Sequence, residues 1–173
     1  MGNFQEAVDL AQTTGLDASD ALTAVRKYTS RPGLSVNLEQ QITQTVGLFA
    51  RAGWADGNVE PWDFTDIDRT VSGGVALFGK LWGRSDDTIG IAGVINGISS
   101  AHAAYFNAGG VGIVLGDGML PHPGLEQIVE TYYSYALSSS TKLTFDYQFI
   151  ANPGYNTDRG PANIFAGRFH AQF

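Results

Sequence analysis

Seven ionisable side chains, Glu39, Arg51, Lys80, Glu130, Asp146, Arg168 and His170, are set almost singly into stretches otherwise rich in Gly, Ser, Thr, Asn and Gln. Carboxylates, guanidinium, ammonium and imidazole groups of both signs along one polar face can hydrogen-bond a neutral, hydroxyl-rich solute. A ring of a single sign would instead select ions. No bond need be broken for such a face to work. The plainer role for each residue is an internal ion pair tying neighbouring segments together.

Other spacings that could carry chemistry are weaker. GGVGIVLGDG has the GxG of a dinucleotide loop but no strand-helix-strand setting around it. The acidic stretch DGNVEPWDFTDID holds Asp56, Glu60, Asp63, Asp66 and Asp68. It lacks the spacing of a calcium-binding hand, so it would attract a cation loosely or simply be solvated. His102, His122 and His170 fall in unrelated segments, and no Ser-His-Asp arrangement follows from spacing. There are no cysteines, hence neither disulfides nor thiolate metal sites. The expectation is a protein that is not an enzyme, with no cofactor and no metal. A net charge of −7 argues against nucleic acid as a partner.

The elements that would hold the seven side chains follow from periodicity. Residues 3–29 are the one convincing helical stretch: Phe4, Ala7, Val8 and Ala11 share a helical face, and a second short helix carries Ala21, Leu22 and Val25. Arg31-Pro32-Gly33 stops it. From Leu34 the period becomes two. Leu34, Val36 and Leu38 alternate with Ser35, Asn37 and Glu39; Leu48, Ala50, Ala52 and Trp54 with Phe49, Arg51 and Gly53. In RTVSGGVALFGKLW the alternation places Lys80 on the polar side. DTIGIAGVIN, IVETYYSYAL, KLTFDYQFI and FAGRFHAQF continue the pattern, the third most clearly. Each run is near the ten residues a tilted strand needs to cross a bilayer. A soluble sandwich would have shorter strands and a polar face crowded with charge, whereas only 16% of this chain is charged and 22 residues are glycine. Aromatics near strand ends, Trp54, Tyr135, Tyr147 and Phe173, are candidates for the interfacial girdles of a membrane barrel. The expected fold is therefore all-β, an antiparallel transmembrane barrel of outer-membrane type. A helical loop segment, 1–33, precedes the barrel strands, 34–173.

Connection lengths set orientation. Short links at 43–45, 83–87 and 138–140 read as periplasmic turns, and long ones at 55–68, 99–125 and 152–160 as outer loops. With 110–116 left in the outer loop, seven strands span. The first and last then run the same way and cannot pair to close an antiparallel wall, so the chain is expected to be partial. If 110–116 did span, eight strands could close as a small binding barrel. The N-terminus, MGNFQEAVDLAQTTG, has neither the basic nor the apolar region of a signal peptide. For an envelope protein, the true beginning is expected upstream.

The segments LEQQITQTVGLFARAGWADG, FTDIDRTVSGG, DDTIGIAGVING and DYQFIANPGYNTDRGPANIFAGRFHAQF resemble the C-terminal half of the carbohydrate-selective porins, the OprB family. The run NPGYNTDRGP between two alternating strands is the most specific part. The resemblance covers nearly the whole chain but about half of a family member, and it implies seven or eight strands of a sixteen-stranded barrel. It further implies passive diffusion of neutral mono- or oligosaccharides across the bacterial outer membrane. The lipid bilayer and the outer-membrane insertion machinery, which reads an aromatic-ended last strand such as Phe173, are the implied partners; association as a homo-trimer is allowed. Ala171 stands where a larger apolar residue is common. The alternatives are a truncated, non-conducting porin fragment or the small eight-stranded binding barrel.

Overall fold

The computed structural model describes residues 1–61, 65–113, 115 and 118–172. The strands β1 (Gly33–Thr43), β2 (Val46–Ala55), β3 (Arg69–Phe78), β4 (Thr88–Gly97), β5 (Glu126–Ser138), β6 (Thr141–Ala151) and β7 (Ala162–Ala171) form one sheet in chain order. Every adjacent pair is antiparallel. β1 and β7 therefore run the same way and stand at two open edges. Residues 110–113 and 115 form no strand, so the seven-strand count holds among the described residues.

The register sorts side chains by face. Leu34, Trp54 and Arg69 lie on one transverse row and Val36, Ala52, Val71 and Ile95 on the next. On the same face, Tyr133 opposes Phe145, and Tyr147 opposes Phe165 with ring centroids 5.0 Å apart. This apolar face is not buried: Leu34 is 72% exposed, Phe165 79% and Phe169 67%. A contiguous apolar surface of this extent marks a membrane-facing wall rather than a water-facing one.

The water-excluding core sits instead at the long-loop end. α1 (Phe4–Thr14) starts where the Asn3 side chain accepts from the Glu6 N–H at 3.0 Å, and stops at Gly15 with φ 74°. α2 (Ala18–Ala24) and α3 (Ser100–Asn107) pack on it. Phe4, Val8, Leu22, Tyr105, Phe106, Leu120 and Tyr155 fill the space between them. The Phe4 ring stacks on His102 at 4.2 Å. The N-terminal helices are thus joined to the β4–β5 loop in a cap over one end of the sheet.

Three features depart from the sequence reading. α3 lies outside the 3–29 stretch expected to be the one convincing helical region. β3 ends at Phe78, and Lys80 lies in a tight turn, Gly79–Trp82, where its Nζ donates to Gln44 Oε1 at 3.1 Å. The chain turns there because a Cβ at Gly79 would come within 1.8 Å of the Arg84 carbonyl oxygen, and because Gly83 takes φ 78°. Two carboxylates of the acidic stretch are not solvated: Asp66 and Asp68 are 2% and 4% exposed.

At the short-turn end, buried Asp87 receives hydrogen bonds from the Arg84 guanidinium, the Tyr133 hydroxyl and the Ala136 N–H. The Arg84 bond, then those from Tyr133 and Ala136, hold its carboxyl far below the usual carboxylate range against the opposing effect of burial. This latch fixes the turn before β4 to β5.

Candidate functional site

The face opposite the lipid-facing one carries two polar clusters separated by a floor of small residues. Across β1 and β2, Arg51 donates to Asn37 Oδ1 and to Glu39 Oε1, both at 3.0 Å. Its guanidinium lies 5.2 Å from the centre of the Phe49 ring. Across β4 to β7, three transverse rows run Thr88, Ser134, Thr144, Arg168; Gly90, Tyr132, Asp146, Ala166; and Ala92, Glu130, Gln148, Ile164. These rows enclose a recess of about 650 Å³ that also takes in Lys142. Glu130 and Asp146 lie diagonally on β5 and β6, and Arg168 on β7 is diagonal to Asp146 in the same recess.

Gly74, Ala76, Gly90 and Ala92 lie between the clusters. A Cβ at Gly74 would approach Phe49 Cε1 to 2.6 Å, and one at Gly90 would approach Tyr132 Cε1 to 2.2 Å. The two rings therefore lie down on the wall over glycine, leaving space above. Gly90→Ala should lift Tyr132 and cost about 1–3 kcal/mol of overpacking, read as a lower temperature for the shift between folded and unfolded migration on a denaturing gel.

The structure brings Glu130, Asp146 and Arg168 into one recess and Glu39 with Arg51 into the other cluster. His170 stands on the same polar face, paired across the strands with Lys142. Lys80 is apart, on the turn. Trp54 lies at the long-loop end of β2 and Tyr135 near the short-turn end of β5, both on the apolar face. Tyr147 also lies on that face but well inside β6, and its hydroxyl donates to Asn163 at 2.7 Å. Phe173 lies outside the described residues, as do Asp63 of the acidic stretch and parts of GGVGIVLGDG. Phe49, Tyr132, Lys142 and Gln148 were not among the expected site residues. Their membership depends on cross-strand register, which one strand's pattern does not carry.

The three histidines are dispersed. His102 is buried with Asp68, His122 meets Asp158 at 2.8 Å, and His170 is exposed on β7. Among the described residues no group of three His, Asp or Glu side chains could hold a metal ion. The polar face can bind hydroxyls reversibly through mixed charges, amides and ring faces.

A family model described as "Carbohydrate-selective porin, OprB family" matches residues 2–173. No curated protein matches the sequence. Among solved structures, "High pH structure of Pseudomonas putida OprB" superposes with a TM-score of 0.78 at 18% sequence identity. The match covers 99% of this chain and 41% of that one, so the chain spans less than half of the solved relative.

Proposed function

The chain belongs to the OprB family of carbohydrate-selective porins, and from that premise we propose that it forms part of the wall of a passive sugar pore. The family places it in the bacterial outer membrane and outside the enzymes. The long-loop end, with its helical cap, then faces outward and the short turns face the periplasm. Neutral mono- or oligosaccharides are the solutes that the polar face suits. Its two clusters each combine carboxylate with guanidinium and an aromatic ring, giving donors and acceptors in quantity without a net field of one sign.

The observation that carries this reading is the inversion of burial in the sheet. Large apolar side chains are exposed on one face, while mixed-charge clusters and recesses occupy the other. Closure is part of the proposal: β1 and β7 run the same way, so an antiparallel barrel needs an odd number of further strands. Nine would give the sixteen that the family resemblance implies. The insertion machinery and a homo-trimeric assembly are further proposals resting on the family. Liposome swelling tests the function. The intact barrel containing this chain is expected to admit glucose and maltose, and equal exclusion of both sugars by correctly folded barrels would contradict it. The 173-residue chain alone, refolded in the same liposomes, is expected to release nothing.

A further inference from the structure

We propose that the outer end of the lipid-facing surface is a docking site for an anionic, phosphate-bearing lipid, its phosphate held by Arg69 and one acyl chain lying in the groove beneath. The proposal rests on the wall reading in one respect: it takes this face as the one that meets lipid.

The groove follows from two transverse rows of side chains. Leu34, Trp54 and Arg69 form the upper row, which ends at Gly97; Val36, Ala52, Val71 and Ile95 form the lower. Ala52 has only a methyl group and Gly97 has no side chain, so a recess of about 480 Å³ opens among bulkier neighbours, Trp54, Ile95 and Leu125 included. A Cβ at Gly97 would meet Arg69 Nε at 2.7 Å and Leu125 Cδ2 at 2.8 Å. The guanidinium of Arg69 therefore lies across Gly97, at the head of the groove.

Charge identifies the occupant. Arg69 is exposed, and among the described residues it has no hydrogen-bond or ion-pair partner. Arg26 and Arg31, in the cap beside it, each hold a carboxylate, at 2.7 Å and 2.6 Å. A guanidinium at the edge of hydrocarbon reaches into the headgroup layer, where its planar fork matches a phosphate in two parallel hydrogen bonds. No strand places an Asp or Glu on this face. A second copy meeting it through the same face would bring no counter-charge to Arg69. A lipid supplies both the anion and the chain that the recess fits.

The test is native mass spectrometry of the barrel purified from outer membranes, delipidated in detergent and titrated with lipid A. One lipid A per barrel is expected, with affinity reduced about tenfold or more by Arg69→Gln, which leaves one charge unpaired, and similarly by Ala52→Phe, which fills the groove. Lys27→Gln, on the cap, should leave binding unchanged. Uncharged diacylglycerol and inorganic phosphate should each fail to compete. Equal binding by wild type and both groove variants would overturn the proposal. So would competition by inorganic phosphate alone, which would mark a simple anion site, or a loss of self-association without loss of lipid in Ala52→Phe, which would mark a contact between copies. If Ala52→Phe does not assemble, Arg69→Gln, which adds no bulk, decides the outcome.

Discussion

Replacing Asp68 by Ala should open the outer cap while leaving the sheet intact. Asp68 accepts from Arg31 at 2.6 Å through one oxygen, and from the Ser99 N–H at 2.7 Å and His102 Nδ1 at 3.0 Å through the other. It thereby joins the segment entering β1, the loop entering β3 and the first turn of α3. Ser99 in turn caps α3 by accepting from the His102 N–H, and donates to the Gly57 carbonyl. Removing one partner of a buried charge pair leaves the others buried and uncompensated, typically about 3–5 kcal/mol. The loss should appear as faster amide hydrogen exchange across residues 3–31 and 98–108, with strand amides unchanged. Uniform exchange in wild type and variant would refute the hub.

The same residue sets a pH dependence. Burial alone would raise the Asp68 carboxyl, but its bond with His102, the nearby charges and the Ser99 N–H outweigh that and leave it lowered. Glu60, bonded by Arg26 and the Gly2 N–H, is lowered in the same way against burial. A carboxyl lowered in the folded state stabilises at pH above its unfolded value, about 4, and that contribution is lost as pH falls through the folded value. The cap should therefore loosen below about pH 4 and be indifferent to pH between 5 and 8 as far as these two groups are concerned.

Arg168→Gln should change what the pore prefers more than whether it forms. Arg168 lines the recess that holds Glu130 and Asp146. Without it the two carboxyls dominate that wall. Reversal potentials across a salt gradient should move toward cation selectivity. The affinity with which a sugar interrupts the ion current should fall on the order of tenfold, the usual consequence of losing a hydrogen bond to a charged group. Arg168→Lys keeps the charge without the fork, so it should restore ion selectivity and only part of the sugar affinity. Unchanged selectivity in Arg168→Gln would show that the narrowest part of the path lies elsewhere.

The two-faced wall could be read from the chain because a strand writes its environment into every second residue. KLTFDYQFI separates Leu143, Phe145 and Tyr147 from Thr144, Asp146 and Gln148 without reference to any neighbour. The pattern blurs in β5, where Tyr132 faces the polar side over Gly90 and Tyr133 the lipid side. α3 escaped because SAHAAYFN is short and buries His102, Tyr105 and Phe106 together, so no polar stripe contrasts with an apolar one. Its signal was local: a Ser99 cap, an alanine-rich turn and a stop at Gly109-Gly110. Lys80 was misplaced because alternation continues past Phe78 in residue type, while the backbone turns at Gly79 for a steric reason that periodicity does not encode. The Asp68–His102 bond joins a loop to α3 across 34 residues, and no spacing rule reaches it.

The central claim, a wall with water on one face and lipid on the other, can be tested on four adjacent residues. The chain has no cysteine, so single cysteines report without background. Thr144→Cys and Asp146→Cys, on the polar face of β6, should react quickly with a charged, membrane-impermeant thiol reagent in barrels held in a bilayer. Reaction should change conductance and be slowed by sugar. Phe145→Cys and Tyr147→Cys, between and beside them, should remain unmodified under lipid. If the second pair reacted as fast as the first, this chain would not be the wall of a sugar pore.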